Sequence, residues 1–328
     1  MWVIPVSVDL TDTSKQLLRS CAEQAGIPSD QLMFVTETEA AFIYCHHSLG
    51  REHNQHLKDV TEYMVVNLGG SFADITIIKK DGTQVIERYR TEDNECGGSL
   101  VNETFLKFLV RIFGSQFMTS LQKEQPSVFS DIEEELELLK RNVKGNHSGK
   151  INFSFPYSNI DSSSKNYLGK DLHEAICSSI YGNDITLIGD KMRINSDLFC
   201  NFFKPTIDKI INLMENVFVD YKDSHEVSAI VMVGEFSKCI LVQEAVRQMF
   251  PKKDIIIPTN PGLADILGAV LCGHQPCQYK PISPSQALKD NTFAGKGTAL
   301  VTLKEFEDVT IAFRMMIDQP TSPYGFDV

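Results

Sequence analysis

"VVNLGGSFAD", residues 65–74, is an apolar run that breaks at Gly69-Gly70 and resumes with alternating residues. Two strands joined through a Gly-Gly turn give this pattern. Glycine also removes the Cβ that would keep an anion away from backbone N–H groups. The stretch can therefore hold a phosphate or simply turn the chain, and its neighbours must separate the two readings.

Working outward, residues 64–66, 75–78 and 85–89 keep a period of two, with Gly69-Gly70 and Asp81-Gly82 between them, which predicts a three-stranded meander. Upstream, 3–8 reads as a strand. Thr11, Asp12, Thr13 and Ser14 offer caps for a helix with Leu17, Leu18, Cys21, Ala22 and Ala25 on one face, stopped by Gly26. A strand at 32–35 and a helix opening in "TETEAAFIYC" follow, so strand and helix alternate as in α/β layers.

Downstream, Gly97-Gly98 precedes a helix through Phe105, Phe108, Leu109 and Ile112. A second helix is predicted over about 131–144 and a strand over 151–155. Residues 195–221 contain a long helix, with Pro205 in its first turn or at a kink. The apolar run 229–233 fits a strand buried on both faces. After it, Gly234-Glu235-Phe236-Ser237-Lys238 turns into another helix, then come a strand at 255–257 and a helix at 264–271. Beyond Pro276 the tail is rich in proline and turn residues, with two short strands expected at 298–303 and 309–313.

With 328 residues the chain can bury the core of two domains or of one domain with lobes. A net charge of −12 argues against broad attraction to nucleic acid or anionic membrane, and neither is expected as a partner. The apolar start at 1–5 is too short for a signal peptide, and no stretch approaches the ~20 apolar residues of a membrane span, so a cytoplasmic location is expected. Eight cysteines lack CxxC spacing and read as reduced, small hydrophobes. Cys45, His46, His47, His53 and His56 lie within twelve residues, which suits either zinc or a solvated loop, but their spacing fits no standard ligand motif. Sequons at Asn102, Asn146 and Asn152 read as chance matches. Walker, HExxH and Gly-x-Ser-x-Gly motifs are absent from the sequence.

Taken in order, several segments over about residues 1–273 resemble the heat shock 70 kDa protein family. "VVNLGGSFADITI" is similar to its glycine-rich phosphate hairpin, and "TETEAAFIYC" to its Glu-containing helix start. "NECGGSLVNETFLKFL" is similar to the Gly-Gly and helix that open the upper part of lobe two. "ELELLKRNVKG" resembles the adenosine-contacting helix, with Glu137, Lys140 and Arg141 spaced to share a helix face. "VMVGEFSK" is similar to the second adenosine loop and "NPGLADILGAV" to the closing helix. "ETEAAFIYC", "INFSFPYSNID" and "FFKPTIDKIINLMENVF" are most similar to the divergent 12A and 12B branch.

The resemblance implies an α/β, actin-like (ribonuclease-H-like) two-lobe ATPase fold, with a partial first lobe lacking its first phosphate hairpin and a nearly complete second lobe. It implies a remnant of lobe one in 1–60 and the core of lobe two in 61–97 and 222–275. An upper subdomain with its connecting helix would occupy 98–221, and 276–328 would form a divergent tail. ATP or ADP, with magnesium, would be the ligands. Gly69, Gly70, Ser71, Glu137, Lys140, Arg141, Gly234, Glu235 and Lys238 are the implied binding positions, and Glu37, Asn67 and Asp74 the implied catalytic ones. The site is altered: Asn67 stands where the family has an Asp, Ser71 and Phe72 replace Gly and Thr, Glu235 and Phe236 replace small residues, and Lys238 replaces an Arg. An amide cannot supply a carboxylate's charge. The expectation is a nucleotide-binding, chaperone-related stress-response module with impaired or absent hydrolysis, meeting protein clients or co-chaperones. The alternative is a pseudo-ATPase that serves as a protein-interaction scaffold. For Glu137, Lys140 and Arg141 a solvated, self-paired helix face also remains open.

Overall fold

A computed structural model of the chain describes residues 1–7, 10–51, 60–81, 84–145, 149–274 and 278–280. They fall into two units, one drawn from Met1–Asp59, Lys79–Arg88 and Leu263–Val328, the other from Val60–Ile78 and Tyr89–Gly262.

The first unit opens with strand β1 (Trp2–Val6), helix α1 (Asp12–Gln24), strand β2 (Leu32–Thr36) and helix α2 (Glu37–Arg51). Thr11 caps α1, its hydroxyl accepting from Ser14 N at 3.1 Å. β1 lies parallel to β2, with Ile4 opposite Phe34. Cys21, Ala22, Ile27 and Leu32 form one small core, while Val35 packs with Ala40 of α2 in another.

The meander follows as β3 (Glu62–Leu68), β4 (Ala73–Asp81) and β5 (Gln84–Asp93), and β4 and β5 contribute residues to both units. The second unit continues with helices α3 (Gly98–Phe113), α4 (Ser115–Glu124) and α5 (Pro126–Asn142), then strand β6 (Lys150–Ser154). Helices α6 (Tyr157–Leu168) and α7 (Leu172–Cys177) lead to strands β7 (Ile185–Ile188) and β8 (Lys191–Asn195). Next come α8 (Ser196–Asn201), α9 (Lys204–Asp220), β9 (Val227–Val233), α10 (Ile240–Met249) and β10 (Asp254–Ile256). The chain then returns to the first unit with α11 (Ala264–His274) and β11 (Gln278–Lys280), which runs parallel to the start of β5.

In the second unit the strand order is β10–β9–β3–β4–β5. β9 is parallel to both neighbours, with Met232 opposite Val66 and Ile230 opposite Ile255. All of β3 is buried, as is all of β9 except Ser228, so the fully apolar run at 229–233 has the covered faces its composition predicts. A separate antiparallel sheet orders β6–β8–β7. Between them lies an aromatic core in which Phe105 approaches Phe153 at 4.9 Å and Phe202 at 5.6 Å between ring centroids.

The structure corrects the sequence reading in places. The long helix expected within 195–221 is α9, with Pro205 in its first turn as one of the two expected placements, and a short helix that was not expected, α8, precedes it and ends at Asn201. Proline lacks the N–H that would continue a helix through it, but fits a first turn. The helices α4, α6 and α7 and the β7–β8 hairpin had no counterpart in the pattern. The strands expected at 298–303 and 309–313 lie outside the described residues. Among the described residues no helix is long and apolar enough to cross a membrane.

Candidate functional site

The Gly69-Gly70 turn joins β3 to β4, and Gly69 N donates to Phe72 O at 2.9 Å to close it. The ring of Phe72 folds over Gly69 so tightly that a Cβ there would lie 2.5 Å from the ring. From another side the start of α3 arrives. Gly98 N donates to Gly69 O at 3.1 Å, and Ser99 donates to Gly70 O through both N and Oγ at 2.7 Å. Gly97 permits this approach, since a Cβ there would collide with the Gly70 carbonyl. The first amides of a helix are a natural anion site. Here two of them are bonded to the hairpin's own carbonyls.

The second wall comes from α5. Lys140 is buried, and its ammonium donates to Gly98 O at 2.9 Å and to Asn102 Oδ1 and Glu137 Oε1 at 2.8 Å, which uses all three of its protons. Its Nζ also lies 5.5 Å from the ring centroid of Phe236. Glu137 Oε1 accepts a further bond from Asn102 Nδ2 at 2.8 Å. Burial pushes the Glu137 carboxyl up, but the bonds from Lys140 and Asn102, aided by the charges of Lys140 and Arg141, hold it below the usual range.

The third wall is the turn after β9. Gly234 has φ 84° and sits where a Cβ would strike the Leu68 carbonyl, with Asn67 Oδ1 beside it, while its N–H donates to Pro261 O at 2.8 Å. Glu235 then reaches back to α5. Its carboxylate meets Arg141 Nη2 at 3.1 Å and Lys238 Nζ at 2.7 Å, in pairs that are half-exposed. Cys239 closes this wall, and burial pushes its thiol up to about 11.

These segments enclose a cleft of about 130 Å³. Of the residues expected from sequence, Gly69, Gly70, Glu137, Lys140, Arg141 and Glu235 line it, whereas Ser71, Gly234 and Lys238 stand beside it. The sequence reading did not place Gly98, Ser99 and Asn102 of α3 or Cys239 at the site, and Phe236, noted there as a replacement of a small residue, also lines the cleft. Gly98 and Asn102 are one helical turn apart behind Gly97, so they share a face of α3 just as Glu137 and Lys140 share one of α5.

The implied catalytic residues do not form one cluster within a unit. Glu37 opens α2 in the first unit, while Asn67 and Asp74 are buried in the second. Asp74 Oδ2 accepts from Arg90 Nη2 at 3.0 Å and its Oδ1 from Thr76 Oγ1 at 3.4 Å. Its charge is thereby matched within the sheet, and Asn67 brings only a neutral amide. Hard cations are held by several oxygens, usually with carboxylate charge. The donor set that the second unit presents does not fit a magnesium ion held by protein ligands. Among the described residues no three His, Cys, Asp or Glu side chains gather as a metal site, and His53 and His56 lie outside them.

A mixed α/β body with a glycine hairpin, a charged helix and a glycine turn around one cleft belongs to the actin-like ATPase class of folds. The profile described as "Hsp70 protein" matches residues 3–275, and the chain belongs to that family. It is similar to heat shock 70 kDa protein 12A of Mus musculus and of Homo sapiens, each at 28% identity over 333 residues, covering 85% of this chain and 49% of theirs. Similarity to human heat shock 70 kDa protein 12B is 24% over 331 residues, covering 84% and 48%. The chain thus spans about half the length of these curated relatives.

Proposed function

We propose that the cleft of the second unit binds an adenine nucleotide, ATP or ADP, in a chaperone-related module whose hydrolysis is impaired or absent. The observation that carries this reading is convergence: segments around residues 69, 98, 137–141 and 235–239, far apart in sequence, meet at one cleft in a chain of the Hsp70 family. The pairing of Asp74 with Arg90 and the amide of Asn67 support weak turnover, because phosphoryl transfer depends on charge arranged around the reacting phosphate. Client and co-chaperone binding in the cytoplasm remains part of the proposal on kinship.

Calorimetric titration of the chain with ADP tests the reading. Saturable binding that weakens at least fivefold in Arg141→Ala is expected, because Arg141 lines the cleft yet is half-exposed and paired at its tip with Glu235. Absence of heat from a folded sample overturns it. Lys140→Ala is the poorer variant, since it would leave Glu137 and Asn102 without a buried partner and loosen the wall itself.

The scaffold alternative has its own support. A cleft of about 130 Å³ is below the ~300 Å³ at which small-molecule pockets usually begin, and its buried cation is already saturated. Under that reading a protein partner would bind equally with and without nucleotide.

A further inference from the structure

The strands that carry the glycine hairpin hold a cation of their own. Gly69 N donates to Phe72 O across the turn, so two residues back along each strand Asn67 stands opposite Asp74. The neighbouring strand, β5, adds Arg90, whose Nη2 donates to Asp74 Oδ2 at 3.0 Å and lies 3.7 Å from Glu92 Oε2. Thr76 Oγ1 donates to the other oxygen, Asp74 Oδ1, at 3.4 Å. Asp74 and Arg90 are only 6% and 8% exposed. A carboxylate engaged at both oxygens beside a fixed guanidinium has little to offer a divalent ion, which needs several oxygens and is repelled by like charge. Arg90 Nη1 is also covered, and it has no hydrogen-bond partner among the described residues. Buried donors are nearly always paired in folded proteins, so this one points to an acceptor from outside the chain. A phosphate oxygen matches the guanidinium fork in both charge and geometry.

We propose that Arg90 is a phosphate-binding residue that stands in for a divalent cation: Asp74 holds one arm of its guanidinium, the other arm is left for a phosphate oxygen, and the chain takes its nucleotide without metal. This rests on the nucleotide-binding reading above. The disagreement between the donor set and magnesium then has a positive content, because the charge that a metal ion would bring with the nucleotide is built into β5. Asn67 fits the same arrangement, since a second carboxylate in the row would compete with phosphate for the guanidinium and an amide does not. Arginine suits the task better than lysine, as a planar fork can serve a carboxylate and a phosphate at once.

The test is calorimetric titration of the whole chain with ADP and with adenosine, each in excess EDTA and in excess magnesium, repeated on Arg90→Gln and Arg90→Lys. In the unaltered chain the dissociation constants for ADP in EDTA and in magnesium should agree within about threefold. Arg90→Gln keeps a donor for Asp74 and loses the charge, so in EDTA it should weaken ADP at least tenfold and change adenosine by less than about threefold. Arg90→Lys, which keeps the charge without the second arm, should fall between the two. A role in packing alone would weaken ADP and adenosine together, and that result overturns the assignment of Arg90. So does ADP binding in the unaltered chain that is more than about threefold tighter in magnesium than in EDTA, a comparison that stands even where Arg90→Gln fails to fold. Either result leaves nucleotide binding in place, whereas absence of binding by both ligands to the folded, unaltered chain overturns both readings.

Discussion

At the scale of single residues, the side chains that the sequence names have partners that it conceals. Glu137, Lys140 and Arg141 were singled out by the resemblance, since their spacing alone fits a solvated helix face, and one position separates a cation turned inward and saturated from one turned outward to Glu235. Asp74 looked like an available carboxylate until β5 supplied Arg90 from the neighbouring strand. Glu39 is a buried acid that the motif comparison passed over. It sits in the first turn of α2, its N–H donating to Thr36 Oγ1 at 3.2 Å, and burial raises its carboxyl to about 7, with Glu87 adding to the rise and a separate bond from the Thr36 backbone to the carboxylate opposing it. The unfolded carboxyl titrates near 4.5. Between these values the folded protein holds a proton that the unfolded chain has lost, so stability falls as pH rises through this window and is level above it. The full loss is at most about 3 kcal/mol. Glu39→Gln removes the titration and keeps the shape. Urea denaturation should find it about equal to the unaltered chain at pH 4.5 and more stable by about 1–3 kcal/mol at pH 8, and a difference that does not grow across that range refutes the burial argument.

At the scale of elements, the contact of α2 with α11 depends on one glycine. A Cβ at Gly268 would overlap the carbonyl of Ala40, which is backbone and cannot swing aside. Gly→Ala inside a helix ordinarily gains up to about 1 kcal/mol, whereas forcing a methyl into a packed contact costs about 1–3 kcal/mol. Overpacking should win, and Gly268→Ala should lower the stability of the first unit by about 1–2 kcal/mol. The single tryptophan, Trp2 in β1, reports on that unit, so its fluorescence in a urea titration measures the change; an unchanged or higher midpoint would mean the helices are not in such contact. α3 was readable because burial on one face imposes helical spacing, and β9 because burial on both faces imposes a continuous apolar run. α6 was not readable, since "YSNIDSSSKNYL" has the serine and asparagine content of a loop. Tertiary contacts hold it as a helix: Ile160, Ser163 and Ser164 are buried, and Gln125 Nε2 donates to Ser163 Oγ at 2.9 Å. The break between α8 and α9 was signalled by Pro205, yet the apolar spacing continues through it and hides where one helix stops.

At the scale of the whole molecule, every residue lining the cleft belongs to the second unit, although the chain enters and leaves the first unit on both sides of it. A ligand that binds only the folded second unit stabilises what it touches, by about 2.7 kcal/mol at a hundredfold excess over its dissociation constant. Such a gain slows exchange of amides that open only by unfolding that unit about a hundredfold and leaves independently opening segments alone. With saturating adenosine, hydrogen exchange should slow in peptides covering 65–74, 97–103, 135–142 and 233–241, and remain unchanged in α2 and α11. Protection confined in this way would show that the second unit holds the ligand with its own residues, as expected of a cleft lined by that unit. Equal slowing in α2 and α11 would instead show that the two units open together, and the cleft would then have to be treated as one part of a larger cooperative body.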